Sequence, residues 1–467
     1  MKVLHIGWGF RPWRGGGLIE YAEDLMDIQA ENGWDIFYFF SGRHYPFTKT
    51  KIKKWKNGKI NMFELINSPI VHAGDRGTLF PLLDTEENKT EIIFREILDQ
   101  IKPNIIHIHE LAGMPSSLID IIKDEYNIPL VMTLHDYFLF CPTLKLFKYN
   151  NEICFEDEIG KECSFCCENA PIDRKFLIFL TFMHILEKYR LLKPINKINY
   201  ILNKFSLKKL SNKSNIKLDY DKNNEKINLY QKRREINIKK LEKIDLLIAQ
   251  SYRVEEIYRN FLKSNNIITL HSTVKHLDLI EKMEINVKKI IKFATLNGCS
   301  SNQKGSRIIL EAVEILNKRG LKTNFELHIW GGLDQNVKEI LYFENVYYHG
   351  LYKVEKLNQI LNKVDVGIMP SVWEEVYGYT GIEFLAKGIP IIGNKKGGIV
   401  DYTIDNTTGW INNSASGKEL ANIMNNIIRN PEKIVELNRK IINNKKLIKS
   451  MEIHFNEIKS IYLLLLN

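Results

Sequence analysis

The stretch VGIMPSVWEEVYGYTGIEFLAKGIPII, residues 366–392, decides the fold. It opens with four apolar residues, Val366–Met369, which predict a buried strand. A loop and a glycine-containing turn follow, and a short helix is predicted from about Gly378. The apolar run Ile389–Ile392 then predicts the next strand. A strand, a helix and a second strand in this order are typical of a parallel α/β sheet.

Two glutamates of this stretch, Glu375 and Glu383, have seven residues between them. With a helix start near Gly378, Glu375 lies at the N-terminal end of the helix and Glu383 lies about one turn inside it. Backbone N–H groups at a helix start attract anions such as a diphosphate, and carboxylates accept hydrogen bonds from sugar and ribose hydroxyls. The pattern therefore indicates a nucleotide-sugar site. The alternative is a surface glutamate and a helix glutamate that bind no ligand.

The same alternation of strands and helices extends over both halves of the chain. At the N-terminus, the strand Lys2–Gly7, the triplet Gly15–Gly17, a helix over about 18–29 and the strand Trp34–Phe40 predict one βαβ unit. Further strands are predicted at Asn104–His109, Leu130–His135, Leu246–Ala249, Ile267–Leu270, Ile290–Leu296, Phe325–Trp330 and Val346–His349, with a helix at Pro115–Tyr126. We therefore expect two Rossmann-like α/β domains that face a central cleft, with ligands at the carboxyl ends of the strands.

The stretch 370–392 resembles the Glu-x7-Glu signature of family 4 glycosyltransferases, which are retaining enzymes of the GT-B fold. The shared residues are Pro370, Ser371, Glu375, Tyr377, Gly378, Glu383, Gly388, Pro390 and Ile392, and Phe384 stands where the family has Ala. The resemblance continues in Gly397–Asp401, with Asp for Glu, in Thr408–Ile411 and in Gln303–Gly305. It implies an N-terminal acceptor domain over about 1–280, a C-terminal donor domain over about 281–450, and a last helix over about 451–467, which often crosses back to the first domain in this fold.

By this resemblance, Glu375 lies near the donor sugar, Glu383 holds the ribose and Lys304 grips the donor diphosphate. His135 faces the donor sugar across the cleft, so the expected catalytic residues are His135, Lys304 and Glu375. The expected donor-binding residues are Gly16, Gly17, Lys304, Glu375, Tyr377, Gly378, Tyr379, Thr380 and Glu383. The expected residues on the acceptor side are His109, Glu110 and Asp136.

One position departs from the family pattern in a way that affects the phosphate site. The family often has an Arg six residues before the lysine, and this chain has Gly298 there. Half of the expected phosphate clamp is therefore missing, and Arg14 or Lys396 are the cations that can compensate. Gly298 keeps open the alternative of an inactive GT-B scaffold. A second alternative, a GT-B nucleotide-sugar epimerase, is disfavoured by the two glutamates.

The resemblance also implies the chemistry. A retaining enzyme breaks the bond from the anomeric carbon to the diphosphate and forms the new bond on the same face, while the leaving diphosphate helps to deprotonate the acceptor. The protein stabilises charge on the leaving group and positions both substrates. No Asp-x-Asp is placed as a metal site, so no catalytic metal is expected. We expect a donor of the UDP or GDP type and a glycan or lipid-linked acceptor, in cell-surface polysaccharide synthesis.

Five of the six cysteines lie between Cys141 and Cys167. Cys163 and Cys166 form a Cys-x2-Cys pair, and Cys141 and Cys154 complete four candidate ligands of a structural zinc. Cys167 competes with Cys166 as a ligand. In a reducing compartment a metal is favoured over disulfides. Some family 4 enzymes have a similar cluster, so a structural loop clamp is one interpretation, and free, buried thiols are the alternative.

The middle of the chain is strongly basic. The segment 174–240 has 18 Lys and Arg but 5 Asp and Glu, within a predicted helical insert over about 141–240. Its residues Phe176, Phe179, Leu180 and Met183 lie at helical spacing, which is typical of a basic helix on an anionic membrane; a solvated basic face is the alternative. No nucleic-acid-binding module is recognised, so no nucleic acid is expected. Without a signal peptide or a long apolar run, we expect a cytoplasmic protein, with membrane contact on the cytoplasmic face as an option.

Overall fold

The computed structural model describes residues 1–154, 160–189, 220–263, 266–286 and 289–467. The chain forms two compact units, with residues 1–149 and 155–246 in the first and residues 150–154 and 247–465 in the second. The boundary near residue 280 between an acceptor and a donor domain stays a prediction.

Six strands of the first unit lie side by side in the order β3-β4-β2-β1-β5-β6. They are β1 (Lys2–Gly7), β2 (Asp35–Ser41), β3 (Lys51–Asn57), β4 (Ile60–Ile66), β5 (Ile105–Ile108) and β6 (Leu130–Leu134). Neighbouring strands are parallel except for β3 and β4. The helices between them are α1 (Gly17–Glu31), α2 (Asn88–Ile101) and α3 (Leu118–Asp120). The predicted N-terminal βαβ unit is therefore confirmed.

Two details of this unit differ from the sequence prediction. The antiparallel strand β3 has the sequence KIKKWKN, and its side chains are exposed or half-buried. Lysines are common on outer strands because they discourage pairing with other chains, but they interrupt the apolar pattern that predicts a strand. The predicted helix at Pro115–Tyr126 is confirmed over residues 118–125, but α3 passes into a π-helical turn at Ile121–Glu125.

The basic insert is helical where the structure describes it. Its helices are α4 (Lys161–Cys166), α5 (Lys175–Lys188) and α6 (Tyr220–Leu241), and residues 190–219 lie outside the described residues. Helix α5 buries Leu177 and Thr181 and leaves Phe179 and Phe182 more than half exposed. Within the described ranges, every helix is too short or too polar to cross a bilayer.

The second unit contains a parallel sheet in the order β11-β10-β9-β12-β13-β14. Its strands are β9 (Ile291–Leu296), β10 (Phe325–Trp330), β11 (Val346–Gly350), β12 (Val366–Met369), β13 (Ile391–Asn394) and β14 (Gly409–Asn412), and the parallel pair β7 (Leu246–Ala249) and β8 (Ile267–Thr269) precedes them. The helices are α7 (Tyr252–Arg259), α8 (Ser306–Lys318), α9 (Leu357–Leu361), α10 (Tyr379–Lys387), α11 (Ile399–Tyr402), α12 (Gly417–Arg429), α13 (Glu432–Asn443) and α14 (Met451–Leu466). Together with the first unit, this sheet confirms an α/β chain with two Rossmann-like domains.

Glycines fix both ends of α10, the helix of the deciding stretch. Gly378 precedes it with a φ of 81°, and Gly388 follows it with a φ of 95°. Both angles lie in the left-handed region that glycine adopts without strain. The side chains from Ile382 to Lys387 are buried, so the helix is fixed against the sheet. The predicted strand, loop, helix and strand between residues 366 and 392 are confirmed.

Candidate active site

Three side chains of the second unit hold the carboxylate of Glu375. The ammonium of Lys304 lies 3.0 and 2.8 Å from its two oxygens. The hydroxyl of Ser371 and the indole N–H of Trp373 each donate to Oε2 at 3.0 Å. The Lys304 ammonium also lies 5.2 Å over the Trp373 ring. Because an ammonium has three N–H donors, it can bind a phosphate oxygen and keep both hydrogen bonds to Glu375.

Close backbone approach at two glycines explains this arrangement. Gly305, which follows the lysine, has a φ of 97°, and a Cβ there would overlap the carbonyl oxygen of Pro370. Gly397 has a φ of 51°, and a Cβ there would overlap the backbone of Glu375. Glycine at both positions lets the loops before α8 and α11 close on the loop after β12. The Lys-Gly and Gly-Gly motifs of the sequence therefore position Glu375 and its cation.

The structure also explains the missing arginine at Gly298. A Cβ there would overlap the hydroxyl of Thr295 and lie 3.0 Å from the ring of Pro370. A longer side chain therefore requires this loop to shift. The sequence suggests Lys396 and Arg14 as cations that replace this arginine. Lys396 is half-buried in the second unit, and Arg14 belongs to the first unit.

Glu383 has one bound and one unbound carboxylate oxygen. It lies in α10, its side chain is 7% exposed, and its Oε1 is 2.9 Å from Nε2 of His276. Its Oε2 is buried and has no hydrogen-bond partner among the described residues. A buried oxygen without a donor is costly, and a ribose hydroxyl would supply one. The sequence pattern does not identify His276, which is 107 positions away from Glu383.

The side chains at the start of α10 bind other parts of the protein. The hydroxyl of Tyr379 is 2.7 Å from that of Ser272, and the Thr380 hydroxyl donates to the sulfur of Met369 at 3.2 Å. Tyr377 is buried. Tyr379 and Thr380 are half-buried, and the donor-binding role of these three side chains stays a prediction.

Tyr402 is a further residue of this site that the sequence pattern does not identify. Its hydroxyl donates to the carbonyl oxygen of Gly378 at 2.9 Å, and it fills the space beside Gly381. Burial, together with nearby carboxylates that include Glu375 and Glu383, raises the pKa of Tyr402 well above its ordinary value. The phenol therefore stays protonated and fixes the start of α10.

In the first unit, the glycine loop precedes α1 at the carboxyl end of β1. Gly16 has a φ of 104°, and Gly17 is the first residue of the helix. Within the described part of the chain, a Cβ on Gly15 or Gly16 would meet nothing within 4 Å. The loop is therefore open to a ligand.

Four buried or half-buried side chains form a hydrogen-bonded chain that ends at His135. The chain starts at Gln29, whose amide oxygen is 2.7 Å from Nε2 of His5. Nδ1 of His5 is 2.9 Å from Nε2 of His109, and Nδ1 of His109 is 3.4 Å from Nε2 of His135. Burial lowers the pKa of His5 to about 4, and burial and the neighbouring histidines lower that of His109. Both rings are therefore neutral near neutral pH.

Gln29 determines which nitrogen donates and which accepts in each hydrogen bond of this chain. Because an amide oxygen only accepts, Nε2 of His5 is the donor to Gln29 and Nδ1 of His5 accepts from His109. His109 then carries its proton on Nε2, so its Nδ1 accepts from Nε2 of His135. The chain thus places the proton of neutral His135 on Nε2. A histidine between Leu4 and Ile6 in an apolar strand is the sequence signal for His5.

The predicted acceptor-side carboxyls form a buried pair at the ends of β5 and β6. Glu110 hydrogen bonds to Asp136, and its Oε1 accepts from the N–H of Leu111 at 2.6 Å and of Ala112 at 2.9 Å. Burial and the charge of Asp136 raise the pKa of Glu110 well above its ordinary value. Burial also raises the pKa of Asp136. The pair therefore shares a proton, which Glu110 holds.

The cysteines do not form a compact ligand set. Among the residues the structure describes, no three cysteine sulfurs lie within 4.8 Å of one another; the group that meets this spacing consists of His5, His107 and His109. Cys167 is instead buried against Tyr230, and burial raises the pKa of its thiol to about 12. A zinc site at Cys141, Cys154, Cys163 and Cys166 stays a prediction for metal analysis.

Comparison with known sequences assigns part of the second unit to a family. Residues 285–447 match the family model described as "Glycosyl transferases group 1". A Klebsiella pneumoniae protein, described as an uncharacterized 42.6 kDa protein in the cps region, is 22% identical over 328 residues. That match covers 70% of this chain and 66% of the relative, so the chain spans just under two thirds of the relative's length.

Comparison with solved structures shows the fold. Sucrose-phosphate synthase from Thermosynechococcus elongatus is 15% identical, with a TM-score of 0.65 over 100% of this chain and 99% of that chain. HepE from Anabaena, solved with UDP and glucose, is 13% identical, with a TM-score of 0.59 over 99% of each chain. An α,α-trehalose-phosphate synthase from Burkholderia xenovorans, solved with glucose-6-phosphate, is 8% identical, with a TM-score of 0.60 over 99% of this chain and 100% of that chain. Residues 285–447 are therefore similar to the glycosyl transferases group 1 family, and the chain has the GT-B fold.

Proposed function

We propose that the chain is a retaining glycosyltransferase that moves a sugar from a nucleoside diphosphate to a glycan or lipid-linked acceptor. The observation that carries the proposal is the arrangement around α10. Lys304 pairs with Glu375 at 2.8 Å, and Glu383 has a buried oxygen for which the described residues supply no donor. A cation for the diphosphate, a carboxylate for the sugar and an acceptor for a ribose hydroxyl are the groups that a sugar nucleotide requires. The group 1 match over residues 285–447 supports the same function.

The proposed reaction exchanges one bond at the anomeric carbon. The bond from that carbon to the diphosphate oxygen breaks, and the acceptor oxygen forms a bond on the same face of the sugar. The acceptor proton passes to the leaving diphosphate. Lys304 and the backbone N–H groups at the start of α10 stabilise the charge of the leaving group. His135, whose Nε2–H donates to His109, is proposed to accept a hydrogen bond from a sugar hydroxyl at Nδ1.

Two relatives support a narrower form of the proposal. HepE is solved with UDP and glucose, which favours a UDP-type donor over the GDP type. The Klebsiella pneumoniae relative lies in a cps region, which favours cell-surface polysaccharide synthesis as the process. A cytoplasmic location is part of this proposal.

The experiment that tests the proposal is a thermal-shift screen of nucleoside diphosphates and nucleotide-sugars. A ligand that binds the native state raises the melting temperature. One nucleotide series is expected to stabilise the wild type and Glu344→Ala, a control at an exposed glutamate of the same unit, but not Glu383→Ala. If no nucleotide stabilises the folded wild type, the donor site is disproved.

An inactive scaffold is the second candidate, and the lack of space at Gly298 for the family's arginine favours it. A scaffold and an enzyme both bind nucleotide, so binding does not separate them. Release of nucleoside diphosphate from a bound nucleotide-sugar does, because it requires the donor bond to break.

We also propose that α5 contacts an anionic membrane, which would suit a lipid-linked acceptor. The helix exposes Phe179 and Phe182, which are 52% and 54% exposed, and its first residue, Lys175, is exposed and pairs with Asp173 at 3.1 Å. Apolar and electrostatic attraction add in such a helix. The double variant Phe179→Ser, Phe182→Ser is expected to lose salt-sensitive sedimentation with anionic vesicles. Wild-type protein that stays in the supernatant at low salt contradicts this contact.

A further inference from the structure

Three buried nitrogens in the first unit lack hydrogen-bond partners among the described residues. They are Nε1 of Trp13, Nε of Arg14 and Nδ1 of His44, and no described residue bonds to any of them. Trp13 is 7% exposed and His44 is 2% exposed. Buried polar atoms in folded proteins are almost always hydrogen bonded. Three without partners in one place indicate that a ligand completes the site.

Contacts with common neighbours place these three residues near one another. The guanidinium of Arg14 lies 4.9 Å from the centre of the Trp13 ring. Trp13 packs edge-on against His184 of α5 at 5.5 Å, and the N–H of His44 donates to Thr181 of the same helix at 3.0 Å. Residues three apart on a helix share a face. Trp13 and His44 therefore lie beside one turn of α5, with Arg14 next to Trp13.

The charge around Trp13, Arg14 and His44 is positive. The guanidinium of Arg14 lies over the rings of Trp8 and Trp13, at 4.2 and 4.9 Å, and in the described ranges it forms no ion pair. Burial lowers the pKa of Arg14 to about 10, which still leaves it charged near neutral pH. Burial and the charges of Arg174 and Arg14 lower the pKa of His44 to about 3.

In contrast to Arg14, Arg11 of the same loop forms ion pairs with carboxylates of the chain. It lies 2.6 Å from Glu23, 3.4 Å from Asp24 and 3.6 Å from Glu20. The chain thus supplies carboxylates to Arg11 and leaves Arg14 for an anion from outside.

The position of the site points to the acceptor. Arg14 directly precedes the glycine loop, whose open side lies at the start of α1 and after the carboxyl end of β1. Ligands of open α/β sheets bind at this end of the strands. We propose that Trp13, Arg14 and His44 bind a phosphoryl group carried by the acceptor substrate, an inference that rests on the proposed transferase function. A phosphoryl group offers several acceptor oxygens to these N–H donors, and it can belong to a soluble sugar phosphate or to a lipid phosphate.

The test measures binding of inorganic pyrophosphate to the full chain by calorimetry, at constant ionic strength. Arg14→Gln is expected to weaken binding at least tenfold, and Trp13→Phe, which removes one N–H and keeps the aromatic ring, is expected to weaken it several-fold. Arg11→Gln, the matched control, is expected to leave it unchanged. Because Trp13→Phe also removes a buried donor without a partner, it is expected to keep or raise the melting temperature of the ligand-free protein.

A donor-site variant separates this site from the nucleotide site. Lys304→Met is expected to keep pyrophosphate binding that depends on Arg14, and Trp13→Phe is expected to keep the wild-type affinity for UDP. Equal pyrophosphate affinity in wild type, Arg14→Gln and Trp13→Phe overturns the inference, and so does complete loss of binding in Lys304→Met. The effect of Arg14→Gln on pyrophosphate binding does not depend on whether UDP binds. A failure of the proposed donor site is therefore seen separately, in the UDP titration.

Two further probes identify the source of the phosphoryl group. Glucose 6-phosphate and a short-chain polyprenyl phosphate are titrated into wild type and Trp13→Phe. The probe whose affinity falls in the variant carries the group that the site binds. If neither affinity falls, the phosphoryl group does not belong to the acceptor and the inference is overturned.

Discussion

Replacing Glu375 by Gln is expected to tighten the binding of a nucleoside diphosphate while it slows sugar transfer. In the structure, two of the three N–H donors of Lys304 bind Glu375, at 3.0 and 2.8 Å. Ser371 and Trp373 both donate to Oε2, so they favour the oxygen of a glutamine there and turn its NH2 group toward the lysine. The lysine is then released to the phosphate, and the negative charge near the phosphate is removed. Replacing Lys304 by Met is expected to weaken the same binding.

The sizes of the two effects follow from the exposure of the pair. The side chain of Lys304 is 30% exposed and that of Glu375 is 12% exposed. A partly exposed ion pair contributes about 0–1 kcal/mol, so Glu375→Gln is expected to lower the Kd of the nucleoside diphosphate by up to about fivefold. A hydrogen bond to a charged group contributes about 1.5–3 kcal/mol, so Lys304→Met is expected to raise the Kd about 10- to 150-fold. Loss of the contact between Glu375 and the sugar is expected to lower kcat about tenfold or more.

The assay combines calorimetry of UDP binding with turnover of the matching UDP-sugar. Urea unfolding of each variant serves as the control, because Lys304→Met leaves Glu375 with two neutral donors and is expected to lose about 1 kcal/mol of stability. If Glu375→Gln weakens nucleoside diphosphate binding as much as Lys304→Met does, the two residues act as one structural pair. The assignment of separate phosphate and sugar roles is then refuted.

Three other variants test other parts of the structure. Glu110→Gln mimics the protonated acid that donates to Asp136. The raised pKa of Glu110 favours folding below about pH 4.5, and this stability is lost as pH rises. The melting temperature of the variant is therefore expected to exceed that of the wild type at pH 8 and to equal it at pH 4.5. Gln29→Leu is expected to lower kcat about tenfold and to shift the pH–rate profile, with the donor KM unchanged, because it removes the acceptor that fixes the proton of His135 on Nε2; an unchanged profile would assign Gln29 a packing role. Arg233→Met breaks a buried ion pair, 1% exposed on the arginine side, and is expected to lower the free energy of unfolding by about 3–5 kcal/mol in urea titrations.

The sequence predicted the strands and loops that depend on local pattern. The bounds of β7 and β12 agree with the apolar runs, because buried parallel strands are continuously apolar. Glu375 and its donors Ser371 and Trp373 lie within five residues of chain, so a motif captures them together.

The sequence did not predict contacts that the sheet order creates. His5 and His109 are 104 residues apart and meet because β1 and β5 are neighbours in the sheet. The partner of Glu383, His276, comes from a short 3-10 helix at Lys275–Leu279, outside every recognised motif. Trp13 and His44 meet at a helix of the basic insert. Such contacts depend on the packing of distant segments, which one sequence does not specify.

The most direct test of a donor site around α10 is the release of nucleoside diphosphate from a panel of UDP- and GDP-sugars, followed by chromatography, for wild type and Glu383→Ala. We predict that the wild type releases the diphosphate from at least one sugar nucleotide. The variant, which loses the buried oxygen proposed to accept the ribose hydroxyl, is predicted to release it at least about tenfold more slowly at subsaturating donor. Equal release by the two proteins, or binding without release by a folded wild type, would contradict the account.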